Sequence, residues 1–165
     1  MLRYLEEHFA GQRAKLKVIA SLLRLGIRVD IKGKLYCDQI ELAPAKVARA
    51  LEVDRRVVIE TAKEIAGNEN LMKVFEGMTP IANVSRAAKL LGHDVIEINA
   101  DPNSIGVVKK VSSVLAKNGV KIRQIIADDP DLYPEPKLSI VVEGKLPQKA
   151  LSSLRELKLQ AISLK

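Results

Sequence analysis

Residues 95–119 read VIEINADPNSIGVVKKVSSVLAKNG, and this stretch decides the fold of the second half of the chain. Ile96, Ile98 and Ala100 alternate with Glu97 and Asn99, the spacing of a strand. Val107, Val108, Val111, Val114 and Leu115 then follow the pattern of a helix laid on a sheet, with Lys109, Lys110 and Lys117 outward and Asn118-Gly119 as its stop. Further on, Val120–Ala127 reads as a strand, and Leu138, Ile140 and Val142 as another. Pro147 opens a helix with Ala150, Leu151, Leu154 and Leu157 inward, and Leu159–Leu164 closes the unit as a last strand. The order predicts a βαββαβ domain over 93–165: a four-stranded antiparallel sheet with both helices on one face.

Upstream the period is mainly helical. Leu5, Phe9, Leu16, Ile19 and Leu23 predict one helix up to Leu25, stopped by Gly26. Ile27, Val29 and Ile31 alternate with Arg28, Asp30 and Lys32. Gly33 can turn the chain and Leu35-Tyr36-Cys37 return it, so a hairpin is expected within Ile27–Leu42. Helices follow over Ala43–Leu51, with Pro44 in the first turn, and over Asp54–Ala66, with Asp54 as cap. Residues 68–78 read equally as a short helix or a strand. Thr79-Pro80 predicts a connecting helix over 79–92, with Ile81, Val84, Ala88 and Leu91 on one face and Gly92 at its end. The expected organisation is α+β: a helical domain over 1–78, the connecting helix over 79–92, and the βαββαβ domain over 93–165.

Composition narrows the function classes. In 165 residues, 47% are hydrophobic with no Trp, so the core must be built from Leu, Ile, Val and Ala. The net charge of +7 is uneven: residues 1–92 hold 16 Lys and Arg against 11 Asp and Glu, which favours an anionic partner for the first part. Cys37 is the lone cysteine, so neither a disulfide framework nor a thiolate metal cluster can form within the chain. The long, acidic, proline-rich loop Asp128–Pro136 has the oxygens for a calcium site but lacks the regular spacing and turn glycine of a calcium loop, and a stiff solvated loop is expected there. His8 and His93 have no Ser, Cys or Asp arranged as a triad, and no glycine-rich phosphate loop follows a strand. No cofactor and no enzymatic activity are expected. Without an apolar leader or a run of about 20 apolar residues, the expected location is the cytoplasm, away from membranes.

The helices Ala43–Leu51 and Asp54–Ala66 resemble a helix-turn-helix, with Ala48 at the close contact and Val53 and Val58 pinning the pair. Glu52 stands where the turn glycine is common. Arg55 and Arg56 open the second helix, although cations there oppose the helix dipole by about 0.3–1 kcal/mol each. In a helix-turn-helix that end faces the major groove, where Arg reaches guanine edges or phosphate, and Lys63 extends the same face. Glu60 and Glu64 count against a strong phosphate footprint. DNA is one expected partner of Arg55, Arg56 and Lys63; a plain helical pair with solvated charges is the other reading. The preceding hairpin suits a winged variant or is a surface hairpin.

The loop Asp101–Gly106 joins a strand end to a helix start, where backbone N–H groups attract anions. Asn103 and Ser104 add hydrogen-bonding groups and Gly106 allows close approach; either polar residue also suits an ordinary helix cap. Val95–Asp101, Gly106-Val107-Val108 and Leu115–Ile122 together resemble an ACT domain, across the whole second half of the chain. The resemblance implies a ferredoxin-like ACT fold that binds an amino acid or related effector and pairs with another copy, as a homodimer or larger. It also implies an effector site between copies at Asp101, Asn103, Ser104, Ile105 and Gly106, with Gln124 on the second strand. Asp101 and Gly106 stand five apart, wider than the commonest family spacing, which implies a reshaped loop. The uneven alternation at Gln124-Ile125-Ile126 is what a strand covered on both faces would show. The whole chain resembles regulators of amino-acid metabolism, with a regulatory or scaffold subunit of a metabolic enzyme as the alternative.

Overall fold

The periodic run expected as one helix is two, α1 (Leu2–His8) and α2 (Arg13–Arg24). They part at Gly11, whose φ of +77° no α-helix contains. The computed structural model describes residues 2–99, 104–157 and 161–164. They divide into two units between Ala82 and Asn83, each taken by itself below.

In the first unit, α2 ends at Gly26 and the chain enters a small antiparallel sheet, β1 (Arg28–Val29), β2 (Leu35–Cys37) and β3 (Ile40–Leu42), in that order. The hairpin thus gains a third strand, because Asp38 adopts φ +53° and turns β2 into β3. Asp and Asn tolerate that region better than most residues do. The β1–β2 turn is tied by Asp30, whose Oδ1 accepts from the backbone N–H groups of Lys32 (2.9 Å) and Lys34 (2.8 Å). Its Oδ2 accepts from the Tyr36 hydroxyl at 3.3 Å, and the Arg28 guanidinium lies 4.4 Å from the Tyr36 ring centre. Half-buried Cys37 sits on β2 opposite Ile40.

The helices α3 (Pro44–Leu51), α4 (Arg55–Gly67) and α5 (Glu69–Glu76) complete the unit. The ambiguous stretch 68–78 is therefore helical. Its start signal is Asn68, whose side chain accepts from the N–H groups of Asn70 and Leu71. Leu5, Phe9, Val18, Leu22, Leu35, Val58, Ile65, Leu71 and Phe75 are fully buried. Between α3 and α4, Glu52 takes φ +52°, ψ +47°, the left-handed conformation that a turn glycine would adopt freely. An L-residue there is strained by about 1–2 kcal/mol. Part of that is returned to Gly as extra unfolded-state entropy. Glu52→Gly is therefore expected to stabilise the unit by about 0.5–1 kcal/mol, read as a higher urea midpoint at unchanged slope.

The connecting helix expected over 79–92 does not form; residues 79–84 are irregular and 85–92 are successive turns. Asn83 Oδ1 accepts from Ser85 N–H (3.0 Å), a local bond that competes with helix formation. Ile81 and Leu91, expected inward, are 77% and 59% exposed. Val84 and Ala88 alone keep the inward role, packed against Val95 and Val141.

The second unit runs β4 (Asp94–Asn99), α6 (Val107–Lys117), β5 (Ile122–Ala127), β6 (Leu138–Val142), α7 (Gln148–Arg155) and β7 (Ala161–Leu164). The strands lie in the order β5-β6-β4-β7, every neighbouring pair antiparallel. Ile96, Ile98, Ile140 and Val142 form one face, and Val111, Leu115, Ala150 and Leu154 of both helices pack on it. That is the βαββαβ arrangement expected from periodicity. The other face carries Val95 and Val141 and receives the turn segment through Val84 and Ala88. β5 is an edge strand with a register shift between Ile122 and Gln124. This bulge sends Gln124 and Ile126 to the helix-free face and leaves Ile122 and Ile125 on the helix face, so apolar groups stand on both faces of β5.

Candidate functional site

Two places carry the residues singled out from sequence. The first is the entrance to α6. Its N-cap is Gly106 at φ +80°, with no side-chain cap, so Ser104 does not serve as the ordinary capping residue. Ser104 and Ile105 are exposed, Ile105 at 94%, while Val107 turns into the core. Among the described residues no side chain accepts from the first-turn N–H groups of α6, the positive end of its dipole. Asp101 and Asn103 lie outside the described residues. Gln124 shares the helix-free face with its cross-strand partner Val141, whereas α6 packs on the opposite face. One chain therefore does not bring Gln124 to the α6 entrance. Its Oε1 accepts from Val84 N–H at 3.1 Å, fastening the turn segment to β5.

The second place is the outer face of α4. Val58, Thr61, Ala62 and Ile65 are its buried side, leaving Arg55, Arg56 and Lys63 exposed. Arg56 and Lys63, seven apart, stand nearly above one another at 3.6 residues per turn. Asp54 Oδ1 caps the helix through Arg56 N–H at 2.7 Å, so a carboxylate offsets the crowding of cations at this end. Among the described residues neither arginine forms an ion pair.

Glu64, expected to oppose an anion, is instead held by Lys15 Nζ at 2.7 Å and by His8 Nε2 at 3.2 Å. Glu60 remains exposed on the outer side. The sequence reading also missed the β1–β2 turn as a neighbour of α4. A Cβ on Gly33 would stand 3.3 Å from backbone atoms of Ala62 and Lys63, so the β1–β2 turn packs closely on α4 at that level. The only signal for that approach is the glycine itself. The strands come before α3, and α4 is followed by α5 rather than by the strand pair of an ordinary wing.

In the loop after β5, the aspartates serve the backbone. Asp128 Oδ2 accepts from Lys137 N–H (3.1 Å), and Asp129 Oδ1 from Asp131 N–H (2.9 Å). Among the described residues no group of three or more His, Cys, Asp or Glu is placed to hold a metal. Nor is any described helix long and apolar enough to cross a membrane.

Comparison with protein-family models found no match, and comparison with curated proteins found none. Among solved structures, the chain is similar to the ligand-free regulatory subunit of aspartate kinase from Thermus thermophilus, at 25% identity and a TM-score of 0.38. The likeness covers 46% of this chain and about half, 51%, of that one. The fold described above stands on strand order and packing alone.

Proposed function

We propose that the chain is a small-molecule-sensing regulator whose first unit contacts DNA and whose second unit, as an ACT-like domain, binds an amino acid or related effector. The observation that supports this most is the first turn of α4. Two exposed arginines, neither in an ion pair among the described residues, stand where the helix dipole disfavours them, with Lys63 on the same exposed side and Glu64 tied up by Lys15, although Glu60 stays exposed. Stability alone gives no reason for that arrangement; a polyanionic partner does.

Effector would sit at Asp101, Asn103, Ser104, Ile105 and Gly106, meeting Gln124 of a second copy in a homodimer or larger assembly. It can regulate only by binding two arrangements with different affinity. Because Gln124 already holds Val84, an effector that takes this amide would compete with the turn segment.

The test is fluorescence anisotropy of the full chain on duplex DNA at several salt concentrations. Arg55→Ala with Arg56→Ala is expected to flatten the dependence of log affinity on log salt by about 1–2. An unchanged affinity and slope would remove DNA from the reading. A thermal-shift panel of the twenty amino acids tests the sensor, since a ligand at a hundred times its dissociation constant stabilises by about 2.7 kcal/mol.

The alternative, a regulatory or scaffold subunit that binds a metabolic enzyme, is favoured by Leu90 and Leu91, which are 92% and 59% exposed side by side. DNA affinity without the arginines' contribution, together with silence across the panel, selects it.

A further inference from the structure

The helix-free face of the second unit holds a basin of about 570 Å³ that none of the proposed site residues line. Its floor is Val95 with Glu97 and Ser139, the latter two being cross-strand partners. One wall is the turn segment, which brings Arg86 and Lys89; the other is the junction of β5 and β6, which brings Asp128 and Lys137.

Both walls are anchored by interactions that leave the cationic heads out. Val84 N–H is held by Gln124, and Val84 and Ala88 are seated on Val95 and Val141. Asp128 N–H donates to Lys137 C=O at 2.9 Å, and Lys137 N–H donates back to the Asp128 carboxylate. Among the described residues Arg86, Lys89 and Lys137 form no ion pair. The basin is therefore a formed concavity with three cations converging from two chain segments, alongside two carboxylates that already have partners of their own.

That lining selects a ligand class. Three cations suit a group carrying more than one negative charge, and Arg supplies the planar fork that phosphate accepts. The carboxylates of Glu97 and Asp128 and the hydroxyl of Ser139 suit ligand hydroxyl groups, which donate to the first two and exchange bonds with the third. Among the described residues Val95 is the one apolar lining residue and no aromatic ring lines the basin, so none of them offers a nucleobase a stacking platform. The volume falls within the range of small-molecule sites.

We infer that this basin binds a small phosphorylated polyhydroxy compound, a sugar phosphate, with the phosphate on Arg86, Lys89 and Lys137 and the hydroxyls toward Glu97, Asp128 and Ser139. None of the residues of the DNA and amino-acid readings line the site, although Gln124 of the latter anchors its turn-segment wall.

Isothermal titration of the full chain with ribose 5-phosphate tests it, beside ribose, inorganic phosphate and aspartate. Ribose 5-phosphate is expected to bind at one per chain and more tightly than phosphate, with ribose silent. Arg86→Ala and Lys137→Gln, each checked for an unchanged circular dichroism spectrum, are expected to weaken binding at least tenfold. Glu97→Gln is expected to narrow the gap between ribose 5-phosphate and phosphate. Equal affinity for phosphate and ribose 5-phosphate overturns the sugar component, and binding indifferent to Arg86→Ala overturns the site. No binding of either phosphate compound overturns the proposal outright. An aspartate response that survives Arg86→Ala belongs to the α6 entrance and leaves the sensor reading standing.

Discussion

Gly26→Ala is expected to destabilise the first unit by about 2–5 kcal/mol, a large fraction of the roughly 5–15 kcal/mol that holds a domain folded. Two costs combine. Gly26 is buried with φ +61°, a conformation that strains an L-residue by about 1–2 kcal/mol. A Cβ there would also stand 2.3 Å from the Thr79 carbonyl oxygen, 2.6 Å from its carbon and 2.8 Å from Pro80 N. All three are backbone atoms, so relief requires moving chain rather than a side-chain tip, at about 1–3 kcal/mol. Gly11→Ala is the control: its φ is also positive, at +77°, but nothing lies within 4 Å of the added carbon. It should lose only the conformational part. Urea unfolding of both variants reads the difference, and equal losses would mean that the approach to Thr79 carries no weight.

Asp94→Ala is expected to cost the second unit about 2–3 kcal/mol. Asp94 is 6% exposed at the start of β4; its Oδ2 accepts from Leu146 N–H at 2.8 Å and its Oδ1 from Lys145 Nζ at 3.0 Å. Removing the carboxylate orphans a buried backbone donor, a loss of about 1–3 kcal/mol. The ion pair adds little, since Lys145 is 74% exposed. Asp94→Asn keeps one acceptor and should cost about half as much.

The same contacts set an acid dependence. Burial pushes the Asp94 carboxyl up, but the Leu146 N–H, the Lys145 ammonium and the more distant Lys89 together outweigh it and hold the group below its ordinary value. A carboxyl lowered by folding contributes stability that is complete above its unfolded pKa, near pH 4, and is lost as pH falls through the folded value. The acid limb of the second unit's stability curve should therefore flatten in Asp94→Asn. An identical limb in variant and parent would rule out this origin for the acid sensitivity.

What could be read in advance divides along physical lines. Wherever one face meets one core, the period was sufficient: Val107, Val111 and Leu115 defined α6, and Ile96 and Ile98 defined β4. Asp54 and Pro44 marked helix starts because their roles are local. The segment 79–92 misled because Val84 and Ala88 have helical spacing while their bonding is to Gln124 and the sheet. A single helix up to Leu25 was expected because its apolar spacing survives the break at Gly11. The bonding of Glu64 to Lys15 and His8 depends on residues 49 and 56 positions away, which no local pattern reports. The basin is illegible for the same reason, since Arg86 and Lys137 meet only through the fold. Arg55, Arg56 and Lys63 could be placed on one exposed side of α4 from sequence, although the approach of Gly33 in the β1–β2 turn to that helix could not.

The clasp around Tyr36 gives the molecule an internal optical gauge. The chain has three tyrosines and no tryptophan, so its near-ultraviolet dichroism comes from few chromophores. Tyr36 is held at both ends, its ring face under Arg28 and its hydroxyl on Asp30, and a chromophore fixed in an asymmetric setting is the kind that gives a strong signal. Burial, with the Asp30 and Glu41 carboxylates, also pushes its phenol up, so the clasped ring should still be un-ionised at a pH where an ordinary tyrosine has begun to absorb as phenolate. Tyr133, in the loop between β5 and β6, reports on the other unit. Replacing each ring with Phe in turn would assign the spectrum, and the melting of the two units could then be followed separately without any added label.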